Sequence, residues 1–548
     1  MIPRAEVPSL VFRRFFTGIA AALGVAATLS TAAAADSVAE GIRTQVERLR
    51  EHGTITLHGQ AVFNTPDMAT FYERRGFEPA WTRAGAVDEL LASIRGIERD
   101  GLQPADYHPD AIAAALAVRD RTSLDVLATD ALVRLMSHLR SGKVDPASLN
   151  KEWNLEPRVD TTTLSELLDV AFVGPSVSHA IDQQRPTHFI YDGLVRTLAE
   201  YRALAARGGW PTVPAGPKLT LGATDPRVAV LRARLAATGD LPADADRTSQ
   251  TFDADVAAAL EVFQDRHRLT ADGTVGPATL VALNVPVTAR IEQVRVNLER
   301  ARWVLGGLGD SFVLVNLPAF KVYVIRHRER VWEARAQVGK TARQTPMFRA
   351  DMRYLVVNPT WTVPPTILAK DILPSARKDP KYLAKRGLVA VGRNGKPVDP
   401  ASIDWSTAGT RFPYTLEQAA GRDNALGRVK FIFPNPYAIF LHDTPHRELF
   451  TSDERSFSSG CIRVESPLDL ATVLLEGSEW TREKIQQAVD AGKTQTLLLA
   501  EPLPVVIVYW TVSIGASGQV RFAKDVYAYD PLLARALDAP VRRAVTWR

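Results

Sequence analysis

The chain has 548 residues, too many to fold around a single hydrophobic core, so three or more domains are expected. Its content of 46% apolar and 23% charged residues is ordinary for globular proteins and excludes wholesale disorder. The 66 basic residues are nearly balanced by 61 acidic ones, so the net charge is only +5. The sequence has no concentrated basic patch of the kind that indicates binding to nucleic acid.

The first 35 residues have the order of a secretory signal. Arginines, including Arg13-Arg14, precede an apolar run, Phe15–Leu29, and three alanines follow at residues 33–35. Basic, apolar and small residues in this order predict export, with residues 1–35 removed by cleavage after Ala35. A retained membrane anchor and a twin-arginine signal are the alternatives, and the weakly apolar alanines favour cleavage over an anchor.

The chain contains one cysteine, Cys461. Exported proteins use cysteines in pairs, and a lone cysteine cannot form an intramolecular disulfide. The ordinary explanation is a small buried hydrophobic residue, because free cysteine is among the most buried residue types. A reactive role therefore has to be argued from the residues around it.

Residues 36–207 are predicted to form a mainly helical scaffold domain. Apolar residues share one helix face in two places: Leu90, Ile94 and Ile97, and then Leu132, Leu135, Met136 and Leu139. No cluster of titratable residues in this segment points to catalysis. Residues 208–218 are rich in Pro and Gly and are predicted to be a linker.

Residues 219–286 are predicted to form a compact module of three short helices. The first begins at Asp225-Pro226, with the aspartate as its N-cap. Apolar residues at helical spacing mark the faces of the first two helices: Val228, Leu231 and Leu235, and then Val256, Leu260 and Phe263. A turn over residues 271–277 leads into the third helix, which is expected to end near Leu283-Asn284.

From about residue 310 the hydrophobic period becomes that of strands. Alternating apolar residues and runs at 321–325, 331–338 and 353–357 predict a mainly-β domain over residues 310–500. The stretch 365–427 is predicted to be an insertion that serves as a lid. Residues 501–548 are predicted to be a C-terminal strand pair and tail, so the fold class is multidomain α+β.

A histidine and the single cysteine are placed for nucleophilic chemistry. His442 follows the apolar strand at residues 438–441, and Cys461 follows the tight turn Ser458-Ser459-Gly460. The thiolate is the reactive form of cysteine, so a nearby imidazole or positive charge is expected to lower the pKa of Cys461. His442 is the predicted general base and acid.

Residues next to this pair are candidates for auxiliary roles. The backbone N–H groups of Ser459, Gly460 and Cys461 are predicted to converge on a developing oxyanion, because small residues allow a close approach. Arg463 is a candidate for orienting a substrate carboxylate or for bracing the loop. Asp443 is a candidate for polarising His442. The alternative is that Asp443 is an exposed loop carboxylate without a catalytic role.

A second histidine, His446, is the competitor of His442 for the role of base. Together they have the spacing H-x-x-x-H, which binds zinc when it lies on a helix. Pro445 and the preceding strand pattern disfavour a helix, and no glutamate lies between the histidines. Neither a metal site nor a cofactor is therefore predicted.

Two motifs and three upstream segments resemble those of known families. His442 in HDTP and Cys461 in SSGCIR are similar to the L,D-transpeptidase family (YkuD-like catalytic domain), over about residues 310–500. The segment DVAAALEVFQDRHRLTADGTVGPATLVALN resembles a small peptidoglycan-binding module. The segments FYERRGFEPAW and DGLQPADYH resemble the large periplasmic branch of the family. Many members of the family have a histidine immediately before the glycine of the cysteine motif, where this chain has Ser459. A serine serves equally well at this position if the residue acts through its backbone N–H.

The resemblance implies a periplasmic enzyme of cell-wall biogenesis and cell shape. Its substrates are expected to be peptidoglycan stem peptides and glycan strands, with other wall-synthesis enzymes as candidate partners. The resemblance implies that Cys461 forms a thioester with release of D-alanine, and that a second stem then resolves it into a 3–3 cross-link without a cofactor. The alternatives are an L,D-carboxypeptidase with the same two residues and a non-catalytic wall-binding scaffold.

Overall fold

A computed structural model describes residues 36–63, 66–155, 164–242, 244–379, 381–405, 412–515 and 517–541. The predicted signal segment, residues 1–35, lies outside the described residues. The described residues divide into two compact units, one within residues 36–143, 164–185 and 539–541, and one within residues 144–155 and 186–538. None of the described helices combines the length and the apolar character that crossing a bilayer requires.

Residues 36–206 are mainly helical, as predicted. The helices are α1 (36–52), α2 (Pro66–Arg74), α3 (Ala86–Gly96), α4 (Pro109–Ala117), α5 (Arg121–Ser141), α6 (Pro146–Leu149), α7 (Leu164–Val173), α8 (Val177–Asp182) and α9 (Phe189–Ala206), and the strands are β1 (Thr54–Leu57), β2 (Gln60–Phe63) and β3 (Trp153–Asn154). Helix α5 is the centre of the first unit, because residues 125–139 are buried on all its sides. Both predicted apolar faces are buried.

The predicted three-helix module lies in the second unit. Its helices are α10 (Arg227–Ala237), α11 (Ala254–Arg266) and α12 (Pro277–Leu283), and α13 (Val287–Leu305) follows them. All six predicted core residues are fully buried. The N-cap prediction was wrong by one residue: Pro226 is the N-cap, while the Asp225 carboxylate accepts the Arg227 N–H at 2.8 Å. This aspartate still pairs with a free amide of the first turn.

The second unit contains further elements from residue 312 onward. The strands are β4 (Phe312–Asn316), β5 (Lys321–Arg326), β6 (Glu329–Gly339), β7 (Met347–Val357), β8 (Trp361–Thr362), β9 (Leu388–Val391), β10 (Pro397–Val398), β11 (Thr415–Gln418), β12 (Val429–Ile432), β13 (Leu441–His442), β14 (Ser456–Ser458), β15 (Ile462–Val464), β16 (Gln495–Val508), β17 (Val512–Ile514) and β18 (Val520–Phe522). The helices are α14 (Pro365–Ile367), α15 (Leu373–Lys378), α16 (Tyr382–Lys385), α17 (Pro467–Leu474), α18 (Arg482–Asp490) and α19 (Asp530–Asp538).

One large sheet dominates these residues and closes on itself. Its strands follow the order β12-β13-β15-β6-β5-β4-β16-β7-β3, and β12 also pairs with β7. In β4, Val313 and Val315 are fully buried and pair with Val324 and Val322 of β5, but every residue of this strand is buried, so the predicted alternation does not appear as alternating burial. Strand β13, which carries His442, lies between β12 and β15.

The predicted insertion is a small folded body with its own core. Strands β10, β9, β11 and β8 form a separate sheet. A π-helical turn, Leu368–Ile372, joins α14 to α15. Buried residues of these elements, among them Ala376, Leu383 and Leu416, form a cluster of their own. A separate core allows the insertion to keep its fold while it is attached to the large sheet at its two ends.

The C-terminal segment differs from the prediction. Strand β16 runs without a break through the predicted boundary at residue 500 and pairs with both β4 and β7. The antiparallel strand pair of this segment is formed by β17 and β18, and α19 follows it. Residues 505–508 pair with a strand almost two hundred positions earlier, and such a distant partner leaves no local signal.

The side chain of Gln264 holds the turn of the three-helix module. Its amide nitrogen donates to the Asp272 carboxylate at 2.8 Å and to the Thr274 carbonyl at 2.9 Å, and its oxygen accepts the Gly273 N–H at 2.9 Å. Gln264→Leu removes this partner from the buried Gly273 N–H and Thr274 carbonyl, so we expect the module to lose about 1–3 kcal/mol of local stability. Hydrogen exchange of the peptides covering residues 254–283 in the whole chain measures this loss.

The matched control for this prediction is Val262→Ala, on the same helix but 46% exposed. Amide exchange in the control should stay at the wild-type rate. Equal exchange in Gln264→Leu and in the wild type would contradict the assigned role of the glutamine.

Candidate active site

The loop before Cys461 is held in a tight turn by a serine hydroxyl. The Ser458 Oγ accepts the Gly460 N–H at 3.1 Å and donates to the Cys461 carbonyl at 2.5 Å. Gly460 has φ +121°, a conformation that other residues rarely adopt, and a Cβ there would lie 3.1 Å from the Ile439 Cδ1. The backbone conformation of the loop that carries the cysteine therefore requires a glycine at position 460.

Strand register puts the candidate residues on one face of the sheet. β13 and β15 are parallel, with His442 opposite Arg463, and β12 places Lys430 opposite His442. Cys461 precedes Arg463 by two residues, so both point to the same face. Strand register thus places Cys461, His442 and Arg463 on one face of the sheet, and it adds Lys430, which the sequence analysis missed.

The imidazole of His442 is buried and oriented by the backbone. Its Nδ1 lies 2.5 Å from the Asp443 carbonyl, and since a carbonyl only accepts, Nδ1 carries the proton and Nε2 is the basic nitrogen. Burial, together with the positive charge of Arg463, lowers the pKa of His442 to about 3. The ring is therefore neutral at ordinary pH and can accept a proton.

The thiol of Cys461 differs from the prediction in its charge state. Burial raises its pKa, and the backbone of Phe440 and the charges of Lys430 and Arg463 only partly oppose this effect. The Sγ lies 3.7 Å from the Ala438 carbonyl, to which it donates. The expected lowering of the pKa is wrong, because loss of hydration outweighs the two nearby cations. The resting pair is a neutral thiol and a neutral imidazole.

Asp443 braces the turn after β13. Its carboxylate accepts the N–H groups of Arg428 at 2.8 Å and Thr444 at 2.7 Å, and it pairs with Arg447 at 2.9 Å. A Cβ on Gly427, which has φ +63°, would collide with this side chain. The contact with the His442 ring comes from the Asp443 carbonyl, so the predicted polarisation by its carboxylate is wrong.

Of the three backbone N–H groups predicted to bind the oxyanion, the structure leaves two as candidates. The Gly460 N–H is bound to the Ser458 hydroxyl, so this group does not point into the site. Ser459 is exposed, and its Oγ accepts from Arg343 Nη1 at 2.9 Å. Arg343 also pairs with Asp371 of the insertion, through Nη2 at 2.7 Å. The backbone N–H groups of Ser459 and Cys461 remain the candidate donors.

Arg463 and His446 have different surroundings. The Arg463 Nη1 donates to Gln337 Oε1 at 3.1 Å, and its buried Nε has no hydrogen-bond partner among the described residues. The His446 side chain is exposed, with its Nδ1 3.5 Å from Glu448. His446 and His442 do not share a helix, because His442 ends β13 and a 3-10 turn begins at Arg447. No group of three or more possible metal ligands occurs within the described ranges.

Comparisons with known proteins agree with this architecture. Three family profiles match in chain order: "Scaffold domain" at residues 66–198, "Putative peptidoglycan binding domain" at 224–283 and "L,D-transpeptidase catalytic domain" at 310–507. The chain therefore contains an L,D-transpeptidase catalytic domain beside a peptidoglycan-binding domain. The resemblance inferred from the sequence is confirmed.

A relative from Haemophilus influenzae, named "Putative L,D-transpeptidase", is 38% identical over 218 residues. The match covers 40% of this chain and 44% of that protein, so the chain spans less than half the length of this relative. Epoxide hydrolase 1 of Sus scrofa is 39% identical over 67 residues, 12% of this chain and 14% of that protein. So short a match carries no argument about activity.

A solved L,D-transpeptidase from Stackebrandtia nassauensis is 13% identical, with 54% of this chain and 96% of that chain covered. Its TM-score of 0.21 carries no argument about the fold.

Lys430 offers a test of the electrostatics around the thiol. Its Nζ lies 4.0 Å from the centre of the Phe440 ring, and Lys430→Met keeps an apolar chain there while it removes the charge. Since that charge favours the thiolate, we expect the pKa of Cys461 to rise further when the charge is removed. Iodoacetamide alkylation of this single cysteine as a function of pH measures the midpoint.

Lys396→Met removes an exposed loop lysine and serves as the control, with an expected midpoint equal to that of the wild type. A midpoint in Lys430→Met that is unchanged or lower would contradict the assigned role of Lys430.

Proposed function

We propose that the protein is an L,D-transpeptidase that joins peptidoglycan stem peptides through 3–3 cross-links, with Cys461 as nucleophile and His442 as general base and acid. The observation that carries the proposal is the position of His442 on β13 and of Cys461 directly before the adjacent parallel strand β15, two positions whose side chains share a face by strand alternation. The tautomer of His442 is consistent with this role, because Nδ1 carries the proton and Nε2 is the basic nitrogen.

The first half of the reaction forms an acyl-enzyme. Cys461 attacks the carbonyl carbon of the third residue of a donor tetrapeptide, at its L-centre, while His442 Nε2 takes the thiol proton. The N–H groups of Ser459 and Cys461 stabilise the negative oxygen of the tetrahedral intermediate. The bond to D-alanine then breaks, its nitrogen receives the proton from His442, and a thioester remains on Cys461.

The second half transfers the acyl group. The side-chain amine of another stem attacks the thioester carbonyl, and His442 accepts a proton from that amine. Collapse of the intermediate forms the new amide and returns the proton to the departing sulfur. The sequence of steps needs no redox reagent and no metal, because the thiol performs the covalent work.

Other parts of the chain are assigned supporting roles in this proposal. The peptidoglycan-binding domain holds the enzyme on its polymer, and other wall-synthesis enzymes are candidate partners. The insertion, residues 365–427, is a lid that excludes water and so favours an amine over hydrolysis. The ion pair between Asp371 of the insertion and Arg343, which contacts Ser459, supports such a role. A cell-wall substrate implies an extracytoplasmic location, in the periplasm.

Incubation of the purified protein with disaccharide-tetrapeptides tests the proposal. We expect cross-linked dimers and free D-alanine from the wild type, and at least about a 1000-fold loss in Cys461→Ala and His442→Ala, because each removes a member of the reacting pair. The matched control is His446→Ala, which should keep wild-type activity since its side chain is exposed. Mass spectrometry of the muropeptides measures both products.

Two outcomes of this experiment would replace the proposal. Tripeptide without dimer would assign an L,D-carboxypeptidase in which water is the acceptor. Neither product, together with no mass adduct on Cys461 after treatment with a carbapenem, would assign a non-catalytic wall-binding protein.

The pH dependence of acylation follows from the two neutral groups. With its pKa at about 3, His442 stays unprotonated over about pH 5–8, where free histidine titrates. We therefore expect the rate of carbapenem acylation to be level over this range and to rise at higher pH, as the thiol with its raised pKa ionises. Intact-protein mass at several pH values measures the rate, and a fall of the rate below about pH 6.5 would contradict this assignment.

A further inference from the structure

A buried threonine holds the peptide group that precedes the nucleophile. Thr345 is 1% exposed, and its Oγ1 donates to the Gly460 carbonyl at 2.7 Å while it accepts the Gly339 N–H at 2.9 Å. A hydroxyl has one proton, so the bond from Gly339 leaves that proton for Gly460. The threonine therefore makes a directed contact with the nucleophile loop from inside the protein.

This contact sets the direction of the Cys461 N–H. The peptide group between Gly460 and Cys461 is planar and trans, so its carbonyl and its N–H point in opposite directions. Thr345 holds the carbonyl on the buried side, and the N–H of Cys461 is thereby turned the other way. The N–H of Gly460 belongs to the preceding peptide group and is bound by the Ser458 hydroxyl, so it does not anchor the peptide group between Gly460 and Cys461.

A tyrosine from the C-terminal segment supports the threonine. The Tyr527 hydroxyl donates to the Gly339 carbonyl at 2.5 Å and accepts the Thr345 N–H at 3.4 Å. The Tyr527 N–H donates in turn to the Tyr509 hydroxyl at 2.7 Å, which donates to Asp525 at 2.6 Å. Burial raises the pKa of Tyr527 to about 12, so its hydroxyl keeps the proton that it donates.

We infer that Thr345 and Tyr527 are positioning residues for acyl transfer, which hold the Cys461 N–H toward the developing oxyanion. Both act through the backbone and touch neither substrate nor the reacting sulfur. Tyr527 lies beyond residue 507, where the match to the catalytic-domain profile ends, so the segment that follows contributes to the site. The inference rests on the proposed function in one respect: the reaction passes through an oxyanion.

Two reagents separate positioning of the oxyanion donor from general reactivity of the thiol. A carbapenem acylates Cys461 through a tetrahedral oxyanion, whereas iodoacetamide alkylates sulfur without one. Thr345→Val keeps the shape and loses the hydroxyl, Thr345→Ser keeps the hydroxyl, and Tyr527→Phe removes a single oxygen atom. The full-length protein is used, and intact mass follows both reactions.

We expect Thr345→Val to lower the acylation rate about 10- to 100-fold, since loss of a whole donor costs more. Tyr527→Phe should lower it by a smaller factor, and Thr345→Ser should restore most of the rate. Alkylation should stay within about twofold of the wild type in all three variants, because the surroundings of the sulfur are unchanged.

Unchanged acylation in Thr345→Val and Tyr527→Phe, with normal acylation of the wild type, would overturn this inference alone. An equal fall of acylation and alkylation would overturn it too, by showing a general disturbance of the loop. If Thr345→Val does not fold, the acylation rate of Tyr527→Phe, compared with its alkylation rate, tests the inference instead. A wild type that forms no acyl adduct would overturn the proposed function, and this inference with it.

Discussion

The parallel pairing of β13 with β15 is the constraint on which the candidate site depends. It sets His442 opposite Arg463, and the alternation of side chains then puts Cys461 on the same face. A slip of one residue would turn the reactive side chains into the interior. Leu441 and Ile462, which occupy the opposite face, are fully buried, and their burial fixes the register. Apolar packing on one side of the sheet thus aligns the chemistry on the other.

The same burial explains why the two reactive groups are uncharged at rest. Removal from water disfavours both the thiolate and the imidazolium, so a proton transfer between them needs compensation. Lys430 and Arg463 favour negative charge at the sulfur, and Arg463 disfavours positive charge on His442. In the proposed reaction these cations act when negative charge develops, rather than by storing a thiolate. A neutral thiol is also less reactive toward oxidants, which attack thiolates.

Local patterns in the sequence were sufficient to predict secondary-structure elements and motifs. They were insufficient to predict which distant strands pair with one another. The helix faces around Leu132 and Leu260 and the strand pattern around Val313 were predictable because each depends on a period of a few residues. The pair of His442 and Cys461 is proposed from motifs. Lys430 was missed because only strand register brings it opposite His442, and β16 was misplaced because its partners are distant in sequence. The occupied N–H of Gly460 depends on one side-chain rotamer, which no sequence pattern specifies.

The closure of the large sheet has a consequence for how the protein meets other chains. A strand at the edge of a sheet exposes unpaired amides on which a foreign strand can grow. Here β12 covers residues 354–357 of β7, and the two-residue strand β3 covers Met347 and Phe348 of the same side. Between these two pairings, residues 349–353 of β7 pair with neither strand on this side. So short an open edge offers a foreign strand few amides to pair with.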